Sequence, residues 1–266
     1  MTWLGVQRVH FSSCRSTNEE AARLAGEGAG HGTVVIADAQ TAGRGRLGRR
    51  WYSPPRENLY VSCIVRPNLP PPKVPFITLA AGVAVCDAVN FYGAGASLEW
   101  PNDVLVGRKK IAGVLTEMFS QGQKVDHVVL GIGVNVHTTE FPPELSDIAT
   151  SLAIATGTGG PPRASRARPP SLVGETPEPP DIDLGELADR LIAELEPRLD
   201  LVLAQTLDPL RAAWLERAGL PRRATAGDVS GLATELADSG ALVVVDDAGD
   251  RHEIVSGDVC YEWDNP

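Results

Sequence analysis

The stretch FITLAAGVAVCDAVNFY, from Phe76 to Tyr92, limits what this 266-residue chain can fold into more than any other. Its apolar residues surround a helix on every side rather than forming one stripe, so the helix must be covered all round. A bilayer could cover it, but seventeen residues fall short of a comfortable span and Asp87 sits among them. A core helix held between layers is the remaining reading, and it needs apolar sheet faces to pack on.

The chain supplies such faces. TVVIADAQ (33–40) and NLYVSCIVRP (58–67) are β-branched apolar runs, and VDHVVLGIGVNVH (125–137) reads as a further central strand. ASLEWPNDVLV and KKIAGVLTEMF flank a turn at Gly107-Arg108 and read as a strand and hairpin. Ser16 followed by Glu19 predicts a capping box opening a helix to about Gly26. Helices mixed with hairpins, without regular βαβ repeats, predict an α+β fold on a mixed sheet.

From Gly157 to Asp183 the composition changes. Seven prolines fall between Pro161 and Pro180, which predicts a solvated, poorly ordered insertion at 157–182. A leucine stripe (Leu184, Leu187, Leu191, Leu195, Leu199) then predicts an amphipathic helix that Pro197 should kink or end. A shorter helix around Trp214 precedes strand-like runs near 224–235, 240–246 and 251–256, the last two joined by DDAGD. These runs predict a small β-barrel-like domain at 219–266, after a larger domain at 1–218.

The net charge of −10 argues against a protein built to coat nucleic acid or an anionic membrane. Cys14, Cys63, Cys86 and Cys260 form no C-x-x-C pair, which fits reduced thiols in a cytoplasmic protein. The five histidines are scattered, so no metal constellation is readable, and the N-terminus has no secretory-signal pattern.

Against this acidic background, QTAGRGRLGRRWYSP (40–54) packs four arginines into seven residues. Gly43, Gly45 and Gly48 have the spacing of a dinucleotide fingerprint, but RRWYSPPREN does not open a helix. No acid stands about 20 positions on to hold a ribose. A P-loop fails as well, because Arg49-Arg50 replace the required Lys and Ser/Thr. Trp51 and Tyr52 keep a nucleic-acid patch open, though no second basic stripe supports it. A solvated surface turn is the plain alternative. Glycines that bend the backbone around a ligand, with guanidinium forks for carboxylate or phosphate, make a loop that wraps an anion.

Three further stretches accompany the loop: SCRSTNEEA with Ser16, Thr17 and Asn18, LEWPNDVLVGRKKIAGVL with Asn102, Asp103, Lys110 and Gly113, and GIGVNV with Gly133 and Asn135. In wording and order these motifs closely resemble bacterial biotin protein ligases, over about residues 8–156 and again from about 183 onward. The resemblance implies the biotin/lipoate ligase fold, of class II aminoacyl-tRNA synthetase type, with an SH3-like domain behind it. It implies that biotin and MgATP give biotinyl-5′-adenylate, whose acyl group passes to a lysine of a biotin carboxyl carrier protein of acetyl-CoA carboxylase. Ser16, Thr17, Asn18, Gln40, Arg44, Gly45, Arg46, Lys110 and Gly113 would then bind biotin. Gly43, Arg44, Arg46, Arg49, Trp51, Asn102, Asp103, Lys110, Gly133 and Asn135 would hold ATP and the adenylate.

Lys110 and Arg46 would carry the catalysis. Magnesium would arrive with ATP, in the neighbourhood of Asp103, with no ligand set fixed by the protein alone. Residues 43–52 would close as a lid, mobile without ligand and ordered over the adenylate. Only 15 residues precede Ser16, too few for the winged helix of repressor ligases, so no DNA binding is expected. Monomer and homodimer both stay open. So do a lipoate or other acyl ligase and a non-catalytic biotin- or carrier-binding protein, although the lipoate type's Arg-Arg-x-Gly-Gly-Gly motif is missing. One departure concerns chemistry: Glu99 precedes Trp100 where the family usually has Lys, and alternation along a strand would turn it toward the site.

Overall fold

Seven strands make the larger sheet: β1 (Arg8–Phe11), β2 (Val34–Ala37), β3 (Asn58–Val65), β4 (Ala96–Glu99), β5 (Asp103–Val106), β6 (Lys109–Gln121) and β7 (Lys124–Asn135). Their order is β1-β2-β3-β7-β6-β5-β4 in the computed structural model, which describes residues 2–122, 124–157 and 182–262. β1 and β2 run parallel and all other neighbours antiparallel, so the sheet is mixed. Most of the proline-rich insertion lies outside the described residues.

Helices cover the two faces unequally. On one face α1 (Thr17–Gly26) sets Ala21 and Ala25 against Val35, Ile64 and Val129, methyl side chains letting the helix sit close. On the other lies α2 (Pro75–Asn90), the apolar helix, its inner side on the sheet and its outer side on later helices. After the short α3 (Leu152–Thr156) come α4 (Leu184–Leu203) and α5 (Asp208–Ala218), which complete that layer. With the turn before it, the segment Pro71–Asn90 reaches 20 residues, long and apolar enough to cross a membrane by length and composition. Here 72% of its apolar window is buried inside the protein, each Val or Leu contributing roughly 1.5–3 kcal/mol of burial. Asp87 escapes an unpaired burial because Arg217 reaches both its oxygens (2.6 and 3.0 Å) and Arg198 adds a third contact.

Four local expectations need correction. Ser16 occupies the N-cap position, but its hydroxyl makes no capping bond, and Glu19 turns to Arg15 at 3.1 Å instead. Pro197 does not end α4: Leu187, Leu191, Leu195 and Leu199 are all buried along one stripe, which offsets the ~3 kcal/mol of an interior proline. The WPND stretch is interrupted, with Trp100-Pro101 separating β4 from β5. The run near 224–235 is two strands, β8 (Arg222–Ala226) and β9 (Val229–Leu236), turned at Gly227 with φ +59°.

With β10 (Leu242–Asp246), β11 (Arg251–Ile254) and β12 (Cys260–Tyr261) these strands form an antiparallel sheet in the order β11-β10-β9-β8-β12. It docks on the larger body where Trp100 Nε1 donates to the Gly240 carbonyl (3.2 Å) and Lys73 Nζ to that of Asp238 (3.1 Å).

Candidate active site

The strand register sets Phe11, Ala37, Tyr60, Gly133, Gly113, Asp103 and Glu99 side by side in one row across the sheet. Cross-strand neighbours share a face, and this row lies on the face of α1, beyond the helix's N-terminus. Along β7 the alternation is strict: Leu130, Ile132 and Val134 enter the core under α2, while Gly131, Gly133 and Asn135 take the opposite face. A cavity of about 490 Å³ opens over the glycines. Its walls are Ser16–Asn18, the glycine–arginine loop, the segment from Phe141 to Ala149, and Asp258–Cys260 of the second sheet.

Side chains from elsewhere fill the room the glycines leave. A methyl on Gly131 would come within 2.0 Å of Asn18 Oδ1, and one on Gly133 within 2.5 Å of Trp51 Nε1. A methyl on Gly113 would meet Lys110 Cε at 2.9 Å. Lys110 and Gly113 are three apart and would face opposite ways in a regular strand. A bulge corrects this: Val104 pairs with Ala112 and Leu105 with Lys110, so Ile111 is the extra residue. Both Ile111 and Ala112 go into the core, and Lys110 returns to the cavity side, where its Nζ is 2.6 Å from Asp103 Oδ1.

A chain of polar contacts braces one end. Gln40 Oε1 accepts from Thr17 N (2.8 Å), Gln40 Nε2 donates to Ser53 Oγ (3.0 Å), and Ser53 Oγ donates to the Trp51 carbonyl (3.1 Å). Ser62 Oγ donates to Asn18 Oδ1 (2.6 Å) and lies 2.8 Å from Thr17 Oγ1. Asn18 Nδ2 reaches Glu117 (2.8 Å), whose other oxygen takes Arg44 (2.8 Å). The loop itself is clasped at several points. Arg46 donates to Asn102 Oδ1 (2.8 Å) and the Gly257 carbonyl (3.3 Å), Arg49 pairs with Asp258, and Gly45 N donates to the Arg49 carbonyl (2.7 Å).

Of the residues assigned to biotin, ATP or catalysis from sequence, all but Gly43 line the cavity. Gly43 lies at the loop's stem, its carbonyl accepting from Trp51 N (3.0 Å), and a methyl there would strike Ser53 Oγ at 2.6 Å. Asn135 lines the cavity while its Nδ2 holds the Thr150 carbonyl (3.0 Å). Trp51 Nε1 is buried with no hydrogen-bond partner among the described residues, and the ring faces Lys110 Nζ 5.5 Å from its centroid.

Glu99 does turn to the cavity, and burial, reinforced by Asp103, pushes its carboxyl up to about 7 against the pull of Arg222 and Lys110. Sequence reading missed Ser53, Ser62, Glu117 and the 141–149 wall. Glu117 was within reach, since Gly113, Leu115 and Glu117 alternate onto one face. The 141–149 wall has no periodicity to betray it.

Known proteins agree with this architecture. Residues 11–135 match the Biotin/lipoate A/B protein ligase family. The bifunctional ligase/repressor BirA of Bacillus subtilis is 43% identical over 157 residues, 58% of this chain and 48% of the relative, so the chain spans about half the length of that relative. The biotin–[acetyl-CoA-carboxylase] ligase of Mycobacterium tuberculosis is 35% identical over 260 residues, covering 92% of this chain and 85% of its own. The Aquifex aeolicus biotin protein ligase, solved with biotin and ATP, superposes with a TM-score of 0.76 at 27% identity, over 97% of this chain and 99% of that one. With the cavity assembled from the same motifs in the same order, this chain belongs to the biotin protein ligase family.

Proposed function

We propose that the protein joins biotin to ATP as biotinyl-5′-adenylate and then passes the biotinyl group to one lysine of a biotin carboxyl carrier protein of acetyl-CoA carboxylase. The observation that carries this reading is the convergence of Arg44, Arg46 and Lys110 on a cavity floored by glycines. Uniting a carboxylate with a triphosphate brings anions together, and fixed cations offset that repulsion where charge develops. In this scheme Ser16, Thr17 and Gln40 bind the ureido ring, braced by Asn18. Lys110, Arg44 and Arg46 lie along the carboxylate and α-phosphate, with Gly45 and Gly113 giving close approach.

Asn135 and Gly133 serve the adenine end, where Trp51 packs over the adenylate. Asn102 aims Arg46, and Arg49 secures the loop as a lid that excludes water from a hydrolysable acyl-adenylate. Magnesium enters as part of the ATP substrate, carried by its phosphates in the neighbourhood of Asp103. The larger body, residues 1–218, does this chemistry, and an SH3-like module at 219–266 closes one wall. The enzyme works in the cytoplasm, with its carrier.

Biotin-dependent exchange of pyrophosphate into ATP, followed by transfer of labelled biotin to a carrier domain, tests the scheme. Exchange that is absent with biotin but present with lipoate would replace it with the related acyl ligase. Biotin binding without exchange would mark a non-catalytic binder.

A further inference from the structure

Three carboxylates line the cavity, and two are already held: Asp103 by Lys110 and Asp258 by Arg49. The Glu99 carboxylate has no ion pair or hydrogen bond among the described residues. It ends β4, directly across from Asp103, at the rim of the glycine row where the larger sheet meets the second one. We propose that Glu99 is the proton acceptor for the incoming carrier lysine in the transfer half-reaction. This rests on the biotin ligase reading above and deepens it.

The chemistry requires such a group. A lysine arrives as an ammonium ion, which has no lone pair to attack with. In the step proposed, the Glu99 carboxylate takes one proton from that ammonium. The freed lone pair forms the N–C bond at the biotinyl carbonyl, and the acyl C–O bond to phosphate breaks with its electrons remaining on AMP. The second amine proton leaves to water.

Asp103 is poorly placed for this task because its charge is spent on Lys110, which the adenylation step needs. The groups facing Glu99 are Asp103 from β5, Lys110 from β6, Arg222 from β8 and Tyr261 from β12. The ionisable side chains of α2 and α5, the helices also packed on β4, have other partners: Asp87 with Arg198 and Arg217, Cys86 with the Ala96 carbonyl, Arg211 with Asp208 and Asp238, and Glu216 with Arg217. A carboxyl held near neutrality is matched to general-base work at physiological pH, being ionised enough to act and basic enough to accept.

Single-turnover transfer from preformed biotinyl-adenylate to a carrier domain, followed across pH, tests the proposal. In the parent protein the rate should rise to a plateau just above neutrality. Glu99→Gln should slow transfer by about a hundredfold or more near pH 7, and its rate should keep climbing about tenfold per pH unit as the lysine deprotonates unaided. Pyrophosphate exchange should fall far less than transfer, and Glu99→Asp should restore part of the plateau. A Glu99→Gln profile with the parent's plateau, or equal losses in both half-reactions, overturns the role. Absence of biotin-dependent exchange in the parent protein would sink the ligase reading itself, a distinguishable failure.

Discussion

Two clusters of charge lie at opposite faces of the large sheet, and they are built to opposite specifications. Behind it, Asp87 of α2 meets Arg198 of α4 and Arg217 of α5, and both its carboxylate oxygens are used. In front, Lys110 pairs with Asp103, while the Glu99 carboxylate feels Arg222 and Lys110 without forming an ion pair among the described residues. The first cluster closes on itself and holds three helices together. The second is unfinished, and a part-buried carboxylate without an ion pair is tolerated where a ligand or a proton is to complete it. Completeness separates the charge that stabilises from the charge that reacts.

Substitutions can sharpen or break this contrast. Lys110→Ala should lower biotin-dependent pyrophosphate exchange by about a thousandfold, roughly 4 kcal/mol of barrier, while the thermal midpoint barely moves. Wild-type exchange rates in that variant would place Lys110 with the structural charges. Asp87→Ala should do the reverse, costing about 3 kcal/mol in urea unfolding by stranding two part-buried arginines. Its exchange rate per folded molecule should match the parent's.

Gly133→Ala tests the floor between the clusters. Its new methyl must move Trp51, so exchange should drop by about tenfold to thirtyfold, near 2 kcal/mol. An unaltered rate would mean that Trp51 does not serve the adenylate. The smallest effect is on stability, at Glu99. Its carboxyl rises from 4.5 to about 7 on folding, so between those values the unfolded chain ionises before the folded one and stability falls as pH rises. Glu99→Gln should therefore be more stable than the parent by about 1 kcal/mol above neutrality and equal to it near pH 4. A pH-independent difference would argue that Glu99 is ordinary surface charge.

How much of this was readable beforehand depended on whether the signal was local. The apolar helix 75–90 announces itself by composition, and the glycine–arginine loop by four charges in seven residues. Glu99 was placed correctly from alternation alone. What escaped depends on partners distant in sequence. Four-residue β1 alternates Arg8, Val9, His10 and Phe11, a pattern too short to read alone, and becomes a strand by lying parallel to β2. Ser16 looked like a capping side chain because residue type marks the N-cap position but not whether its hydroxyl bonds back to the helix. The bulge at Ile111 was invisible for a related reason: KKIAGVL reads as an ordinary strand, and only its register with β5 shows where the extra residue goes.

The clasp on the glycine–arginine loop has a consequence in the order of synthesis. Cavity residues from Ser16 to Asn135, Asn102 beneath Arg46 among them, come from roughly the first half of the chain, whereas Gly257 and Asp258, which also grip Arg46 and Arg49, lie near its end. A growing chain can fold its sheet, pair Arg44 with Glu117 and set Arg46 on Asn102 long before Gly257 and Asp258 exist to complete the clasp. In the proposed scheme, the full guard on the acyl group is acquired last, when the second sheet arrives to fasten the first.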